Sequence, residues 1–300
     1  IFYQYIFGKD IFGNLPFGRK YSGPFGDEYI AGSYLQRFSL FSFFLFPIFF
    51  KIKKKTTLSL IIPILFIIFL SAIIISGNRM PLILFLFIIF LIVLLEKKTR
   101  KYIILFSGVT AVIIIFFYNF NTYINYNFKD FVGKISKFSV ILKSKEIERN
   151  IMVAKGEMPD HFREFETFYD TWLMNKYLGG GVKSFRINCP KRQNIGLWER
   201  TTCNTHPHNY YLEILTDLGL IGFFILSFIY LIILYNSFIK KYFTNSHLRY
   251  NHIITPFMFI FLAEIFPIKS TGSFFTTGNA TFIFLIMSIT IALSKKRYLN

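Results

Sequence analysis

The hydrophobic residues of this chain are grouped into long runs that few polar residues interrupt. Seven runs approach the roughly 20 apolar residues that a helix needs to cross a bilayer, and they lie at 34–50, 57–75, 80–95, 102–118, 211–235, 253–268 and 278–293. The composition agrees with this pattern, because 53% of the residues are hydrophobic and only 17% are charged, whereas soluble domains carry more charge. The pattern predicts an all-α fold, a polytopic bundle of transmembrane helices.

Positive charge is concentrated in every second connection between these runs. Lysine and arginine cluster at 51–55, 97–101, 240–249 and 295–297, whereas the other short turns carry only Arg79 and Lys269. Short loops rich in lysine and arginine stay in the cytoplasm, so we predict that the loops at 51–56, 96–101 and 236–252 are cytoplasmic. This topology accounts for most of the net charge of +18, and we therefore expect no nucleic-acid partner.

The same alternation divides the chain into four parts. They are an outer segment at 1–33, helices 1–4 at 34–118, a large outer loop at 119–209, and helices 5–7 with a cytoplasmic C-terminus at 210–300. No signal peptide is apparent after Ile1, so we expect further membrane spans to precede this sequence. The outer loop is too long for a simple linker, and we expect it to form a small helical domain.

One amphipathic helix is predicted inside the outer loop, at 161–178. Its aromatic residues recur at the spacing of one helix face, Asp160 supplies the N-cap, and the glycines at 179–181 supply the stop signal. We interpret the aromatic face as a packing surface against the membrane helices, with a carbohydrate-binding surface as the alternative.

The most informative polar residues lie where the outer loop enters the fifth run, at 205–222. Pro207 suits the first turn of a helix, which predicts that His208 lies at the helix N-terminus, level with the outer membrane surface. The positive end of the helix dipole attracts phosphate and disfavours imidazolium, so His208 would stay neutral and able to accept a proton. Considered without further context, a histidine at this place is more often structural than catalytic.

This stretch resembles the His-Asn-x-x-Leu…Gly-x-x-Gly signature of the O-antigen ligase and O-antigen polymerase superfamily, beginning at His208-Asn209. Three further stretches agree with the superfamily in order and in membrane side. Residues 178–185 resemble its Gly-x-Gly-x-x-x-Phe turn, residues 76–79 resemble a short outer turn ending in arginine, and residues 22–35 resemble an outer segment that enters an earlier span. The resemblance covers nearly the whole chain.

The resemblance implies a multi-pass glycosyltransferase of the bacterial inner membrane that needs neither metal nor cofactor. Such enzymes transfer a glycan from an undecaprenyl-diphosphate carrier to an acceptor hydroxyl on the periplasmic face, which is lipid A-core for a ligase. We expect a ligase, because Cys203-x-x-His-Pro-His-Asn looks more like the ligases, with a polymerase or a protein O-oligosaccharyltransferase as alternatives. A transporter or flippase of lipid-linked sugars is the alternative of another class, but the chain shows no repeated halves.

On this interpretation His208 is the general base for the acceptor hydroxyl. Without a metal, the charge of the diphosphate leaving group requires fixed cations, and Arg79 in its outer turn is the best candidate; an interfacial arginine without a catalytic role is the alternative. Family members carry an arginine near position 161, so here either His161 or Arg163 takes that role. Further candidates are Arg37 and Arg186 as substrate-binding residues and His206, Asn209 and Glu213 as supporting residues.

Two cysteines, Cys189 and Cys203, lie in the outer loop. In an oxidising compartment we expect them to form a disulfide, with Cα atoms within about 7 Å of each other. A zinc site that adds His206 and His208 is the alternative, although the spacing matches no usual zinc pattern.

Three acidic residues belong to apolar runs. Glu213 and Asp217 lie one helical turn apart, where they either orient His208 or form a polar helix end that faces water. Glu264 is predicted to lie deep in the sixth run and to pair with another group.

Overall fold

The computed structural model describes residues 1–16, 20–52, 55–96, 103–143, 160–192, 203–204, 206, 208–244, 253–269 and 272–295. Within these ranges every regular element is a helix, which confirms the all-α prediction. The helices are α1 (Phe2–Phe7), α2 (Ala31–Phe44), α3 (Phe46–Phe49), α4 (Lys55–Ser76), α5 (Arg79–Leu95), α6 (Ile103–Phe120), α7 (Thr122–Lys143), α8 (Asp160–Leu173), α9 (Phe185–Asn188), α10 (Tyr210–Leu234), α11 (Lys240–Phe243), α12 (Ile254–Glu264) and α13 (Thr277–Leu293). Short 3₁₀ turns lie at Gly23–Phe25 and Cys189–Lys191, and a π-helical turn at Tyr235–Ile239 joins α10 to α11.

The chain divides into two compact units. The first comprises Ile1–Val132 with Asn251–Ile260, and the second comprises Gly133–Tyr250 with Phe261–Asn300.

The first unit is built around α2, α4, α5 and α6, in which α4 and α5 contact each other and both contact α2 and α6. Its core contains large apolar side chains that are almost fully buried, among them Leu40, Phe66, Ile73, Leu84 and Phe85. Helices α4 and α5 are apolar on nearly every face, as expected for helices that meet protein on one side and lipid on the other. Gly32 of α2 lies against the turn before α5, where a Cβ atom would be 2.7 Å from the Cβ of Asn78.

Helices α6 and α7 are separated by a sharp bend at Asn121. Their axes differ in direction by 110° between Leu105–Phe120 and Thr122–Gly133. The side chain of Asn121 stabilises the start of α7, because its Oδ1 accepts a hydrogen bond from the Ile124 amide at 2.9 Å. The fourth apolar run therefore ends near its predicted end and is followed by a helix that changes direction.

The second unit is built around α10, which contacts α8, α9 and α13. Helix α8 ends at Leu173, five residues before the predicted end of the amphipathic helix. The segment that follows it folds into turns whose carbonyls bind α10, as described below.

Two segments of the described chain are long and apolar enough to cross a membrane. They are Thr57–Ser76, with a mean hydropathy of 3.1, and Tyr210–Phe243, with a mean hydropathy of 2.5. The bent pair α6 and α7 adds a third if it forms one span, and α5, α12 and α13 are shorter apolar helices. The first predicted run is divided by Leu45 into α2 and α3. The helix of the sixth run ends at Glu264, which is its last residue.

Candidate functional site

The centre of the second unit is a break in α10 that the preceding loop fills. Gly219 has non-helical torsions, φ 64° and ψ −168°. Before the break, the carbonyls of Thr216 and Asp217 accept hydrogen bonds from the amides of residues 180 and 181, each at 2.9 Å. After it, the amides of residues 220 and 221 donate to the carbonyls of Lys176 and Tyr177 at 2.9 and 3.1 Å. The groups that a broken helix leaves without partners are thus bound by the turn that follows α8.

Two glycines permit this close approach. A Cβ atom on Gly219 would lie 2.3 Å from the carbonyl oxygen of Tyr177, and one on Gly179 would lie 2.4 Å from the backbone of Asp217. Both residues also have positive φ, 64° and 72°, a conformation that other residues rarely adopt. The sequence interpretation treated 179–181 only as a helix stop and did not predict that this turn binds the break in α10. The signal was Gly219 itself, inside an apolar helical run.

Asp217 anchors the same turn through its side chain. Its carboxylate is buried and accepts hydrogen bonds from the Lys183 amide at 2.6 Å and from the Ser184 hydroxyl at 3.1 Å. These bonds stabilise Lys183 in its left-handed conformation, φ 62°. The interpretation of Asp217 as a polar helix end that faces water is therefore wrong, because the residue holds the glycine turn in place.

Helix α10 begins with a side-chain cap. Asn209 is the N-cap, and its Oδ1 accepts hydrogen bonds from the amides of Tyr211 at 2.9 Å and Leu212 at 3.3 Å. Its Nδ2 donates to the carbonyl of Pro267 at 2.7 Å. The helix thus starts at Tyr210, and the expectation that the first turn contains position 207 is wrong. His208 immediately precedes the N-cap, whereas Pro207 lies outside the described residues.

Glu213, in the first turn of α10, fixes the segment that follows α12. The buried carboxylate accepts hydrogen bonds from the Ser273 hydroxyl and the Phe274 amide. The same segment carries Lys269, whose ammonium lies 2.7 Å from the Glu264 carboxylate, and both side chains are almost fully buried. The prediction that Glu264 pairs with another group is confirmed. The interpretation of Glu213 as a residue that faces water is wrong. Its side chain is buried, and its hydrogen-bond donors come from a segment 60 positions away.

The two histidines of the motif are neighbours in the structure. The ring centroids of His206 and His208 are 5.0 Å apart, and the rings are inclined by 71°. Burial, then the proximity of His208 and of Arg186, lower the pKa of His206. His206 therefore remains neutral at lower pH than an ordinary histidine. The predicted residues His206, His208 and Arg186 are brought together in this unit.

A disulfide joins Cys189 to Cys203, with Cα atoms 5.7 Å apart, so that prediction is confirmed. The zinc alternative is wrong because the disulfide occupies both sulfur atoms. Arg192 is buried, and its Nη1 donates to the Cys189 carbonyl at 2.9 Å. The buried guanidinium of Arg192 thus contacts both cysteines of the disulfide.

Helix α8 contributes the aromatic side of this packed structure. Phe168 is buried, and its ring centroid lies 4.4 Å from that of Phe185, with Leu212 of α10 alongside. Phe165, Tyr169 and Tyr177 of the predicted aromatic face remain exposed. The side chains of His161 and Arg163 lie outside the described residues, so their assignment stays a prediction.

Two candidate cations belong to the first unit. Arg37 is buried in α2, as expected for a charge that faces away from lipid. Arg79 is the first residue of α5, and it forms an ion pair with Asp130 of α7 in which each side chain is 29% exposed. Arg79 also lines an apolar cavity of about 180 Å³. The pairing with Asp130, which lies 51 positions from Arg79, was not predicted from the sequence.

Comparison with known proteins identifies a family. A family model described as O-antigen ligase (Wzy_C) matches residues 64–227, which is more than half of the 300 residues. The matched region extends from α4 into α10 and contains Arg79, the disulfide and the motif histidines. No curated protein and no solved structure matches this chain.

Proposed function

Because this chain belongs to the O-antigen ligase family, we propose that it transfers a glycan from an undecaprenyl-diphosphate carrier to the hydroxyl of an acceptor on the periplasmic face of the bacterial inner membrane. The family corresponds to membrane glycosyltransferases of the ligase and polymerase type, and the long apolar helices agree with a membrane location. We propose lipid A-core as the acceptor, which makes the protein a ligase. A polymerase and a protein O-oligosaccharyltransferase remain the alternatives.

The observation that supports this proposal best is the arrangement at the start of α10. His208 directly precedes a capped helix N-terminus, and Asn209 ties that terminus to the segment after α12 through the Pro267 carbonyl. A general base must be held within hydrogen-bond reach of the hydroxyl that it deprotonates. The two anchors of Asn209 supply that rigidity, and we assign the role of base to His208.

His206 supports the proposed base by staying neutral. Its pKa is lowered by burial and by His208 and Arg186. When His208 takes the proton of the acceptor, a second imidazolium 5.0 Å away would oppose the new charge. A neutral His206 avoids this repulsion, and we therefore propose a supporting role for it.

The diphosphate leaving group requires positive charge at the point where the glycosidic bond breaks. Arg79 combines a guanidinium fork, which suits phosphate oxygens, with the N-terminus of α5, whose amides and dipole favour anions. We propose Arg79 as the main diphosphate-binding residue, with Arg37, Arg186 and either His161 or Arg163 as further cations. No metal or cofactor is part of this proposal.

The reaction class is tested with the purified full chain in lipid nanodiscs. The nanodiscs contain undecaprenyl-diphosphate-linked glycan, with or without lipid A-core. A ligase yields glycosylated lipid A-core and free undecaprenyl diphosphate only when the acceptor is present. Lengthened carrier-linked glycan in the absence of lipid A-core would instead indicate a polymerase. Movement of intact donor across a proteoliposome membrane, without transfer in either assay, would overturn the proposal in favour of a transporter.

A further inference from the structure

The proposed diphosphate-binding arginine is already engaged by a carboxylate. Nη2 of Arg79 donates a hydrogen bond to Oδ2 of Asp130. The guanidinium carbon of Arg79 also lies 5.9 Å from the ring centre of Phe131. Asp130 and Phe131 are adjacent on α7, so this helix presents both an anion and an aromatic ring to Arg79.

The same part of α7 forms a wall of the cavity that Arg79 lines. From α7 the cavity is lined by Ile124, Asn127, Phe128 and Phe131. The remaining lining residues come from α4, the following turn, α5 and α6, and they are mostly aliphatic. Helix α7 departs from α6 at an angle of 110°, so it reaches the cavity from a different direction than α6. The ion pair holds α7 next to Arg79, and both line the cavity. Breaking the pair would free the guanidinium and would allow α7 to move away from the cavity.

The ion pair is suited to exchange. Both side chains are 29% exposed, and partly exposed pairs of this kind contribute little to stability. A phosphate group offers several oxygens to the guanidinium fork and carries its own negative charge. Asp130 occupies Nη2 of Arg79, which is one end of the fork that a phosphate would bind, so binding of one anion weakens the binding of the other.

We infer that Asp130 is a latch for the donor site. When no donor is bound, Asp130 pairs with Arg79 and keeps α7 next to the cavity. When an isoprenoid diphosphate lipid binds, its phosphate displaces Asp130 from Arg79. This inference rests on the proposed function, because it takes Arg79 as the diphosphate-binding group. We call the form in which Arg79 is not paired with Asp130 the open form. A ligand that binds only the open form binds more weakly when a smaller fraction of the protein is open. Removing the charge of Asp130 should therefore strengthen binding.

The latch is tested by the binding of undecaprenyl diphosphate to the full chain in phosphatidylcholine nanodiscs. Asp130→Asn should raise the apparent affinity about twofold to fivefold, the range that a partly exposed ion pair allows. Asp130→Glu keeps the charge and should stay close to the wild type. Asp27→Asn removes an exposed carboxylate from the segment before α2 and is the matched control, with no change expected. Undecaprenol and inorganic pyrophosphate provide the chain and the headgroup separately.

The combined variants separate the latch from the function on which it rests. In an Arg79→Ala background the gain from Asp130→Asn should vanish, because no guanidinium remains to be released. If Arg79→Ala alone binds as tightly as the wild type, Arg79 is not the diphosphate-binding group, and the assignment and the latch both fail. If Arg79→Ala loses binding but Asp130→Asn gives no gain, the latch is overturned and the role of Arg79 stands. An equal gain for undecaprenol would also overturn the latch, because that ligand has no phosphate. An equal gain in affinity for pyrophosphate would overturn the inference that the displacing ligand is a lipid.

Discussion

Replacing Gly219 with alanine should disrupt the interlock between α10 and the glycine turn. The new Cβ atom would lie 2.3 Å from the Tyr177 carbonyl oxygen, so the two segments must separate. The backbone torsions at this position, φ 64° and ψ −168°, are adopted almost only by glycine, and they cost another residue about 1–3 kcal/mol. Separation also weakens the hydrogen bonds at 2.9 and 3.1 Å after the break, each with a net contribution of about 1 kcal/mol. The expected destabilisation is therefore about 3–5 kcal/mol.

The assay is thermal unfolding of the purified protein in one detergent, followed by the loss of the monodisperse peak in size-exclusion chromatography. Gly278→Ala is the control, because Gly278 lies in α13 of the same unit and has no atom within 4 Å of an added Cβ. That substitution should leave the midpoint unchanged or raise it slightly. The reasoning is refuted if Gly219→Ala unfolds at the same temperature as Gly278→Ala.

Three further predictions concern the surroundings of the motif histidines. Glu213→Ala should lower the unfolding midpoint in the same assay, since it leaves the buried Ser273 hydroxyl and the amide after it without their acceptor; an unchanged midpoint would contradict this role. Cys189→Ser with Cys203→Ser should increase cleavage between positions 189 and 203 in limited proteolysis, because the 14-residue closure is lost; an unaltered digestion pattern would count against it. Because the folded protein holds the pKa of His206 below the value of about 6.5 that an unperturbed histidine has, stability should fall as the pH drops from about 6.5 towards that lower pKa. In this range the unfolded chain binds more protons than the folded protein. Midpoints measured from pH 5 to 7 should show a shallower dependence for His206→Gln, and identical slopes would exclude this linkage.

The sequence predicted those features that depend on local composition. Apolar runs identified α4 and α10, and the shared compartment of Cys189 and Cys203 identified the disulfide. It did not predict the break at Gly219, because hydropathy carries no information about backbone torsions. The cap rule also placed the start of α10 too early. Pro207 is compatible with a first turn, but the Asn209 side chain binds two amides and determines the observed start.

The sequence did not predict contacts between residues that are far apart along the chain. The carboxylate of Asp217 binds residues 33 and 34 positions away, and Glu213 binds residues 60 and 61 positions away. Helical spacing suggested instead that both acids face water or His208. The ion pair of Arg79 with Asp130 joins residues 51 positions apart across the bend at Asn121. Neither the bend angle nor this pairing follows from periodicity within one helix.

We propose that His208 removes the proton from the acceptor hydroxyl. The most direct test is the single-turnover rate of glycan transfer to lipid A-core by His208→Ala, His206→Ala and wild-type protein, with His247→Ala in the predicted cytoplasmic loop as the control. Loss of a general base typically lowers a rate about 10²–10⁴-fold, so His208→Ala should fall by that factor while the bound donor remains intact. His206→Ala should fall less, and His247→Ala should match the wild type. A His208→Ala protein that retains the disulfide between Cys189 and Cys203 and still transfers glycan at the wild-type rate would contradict the claim.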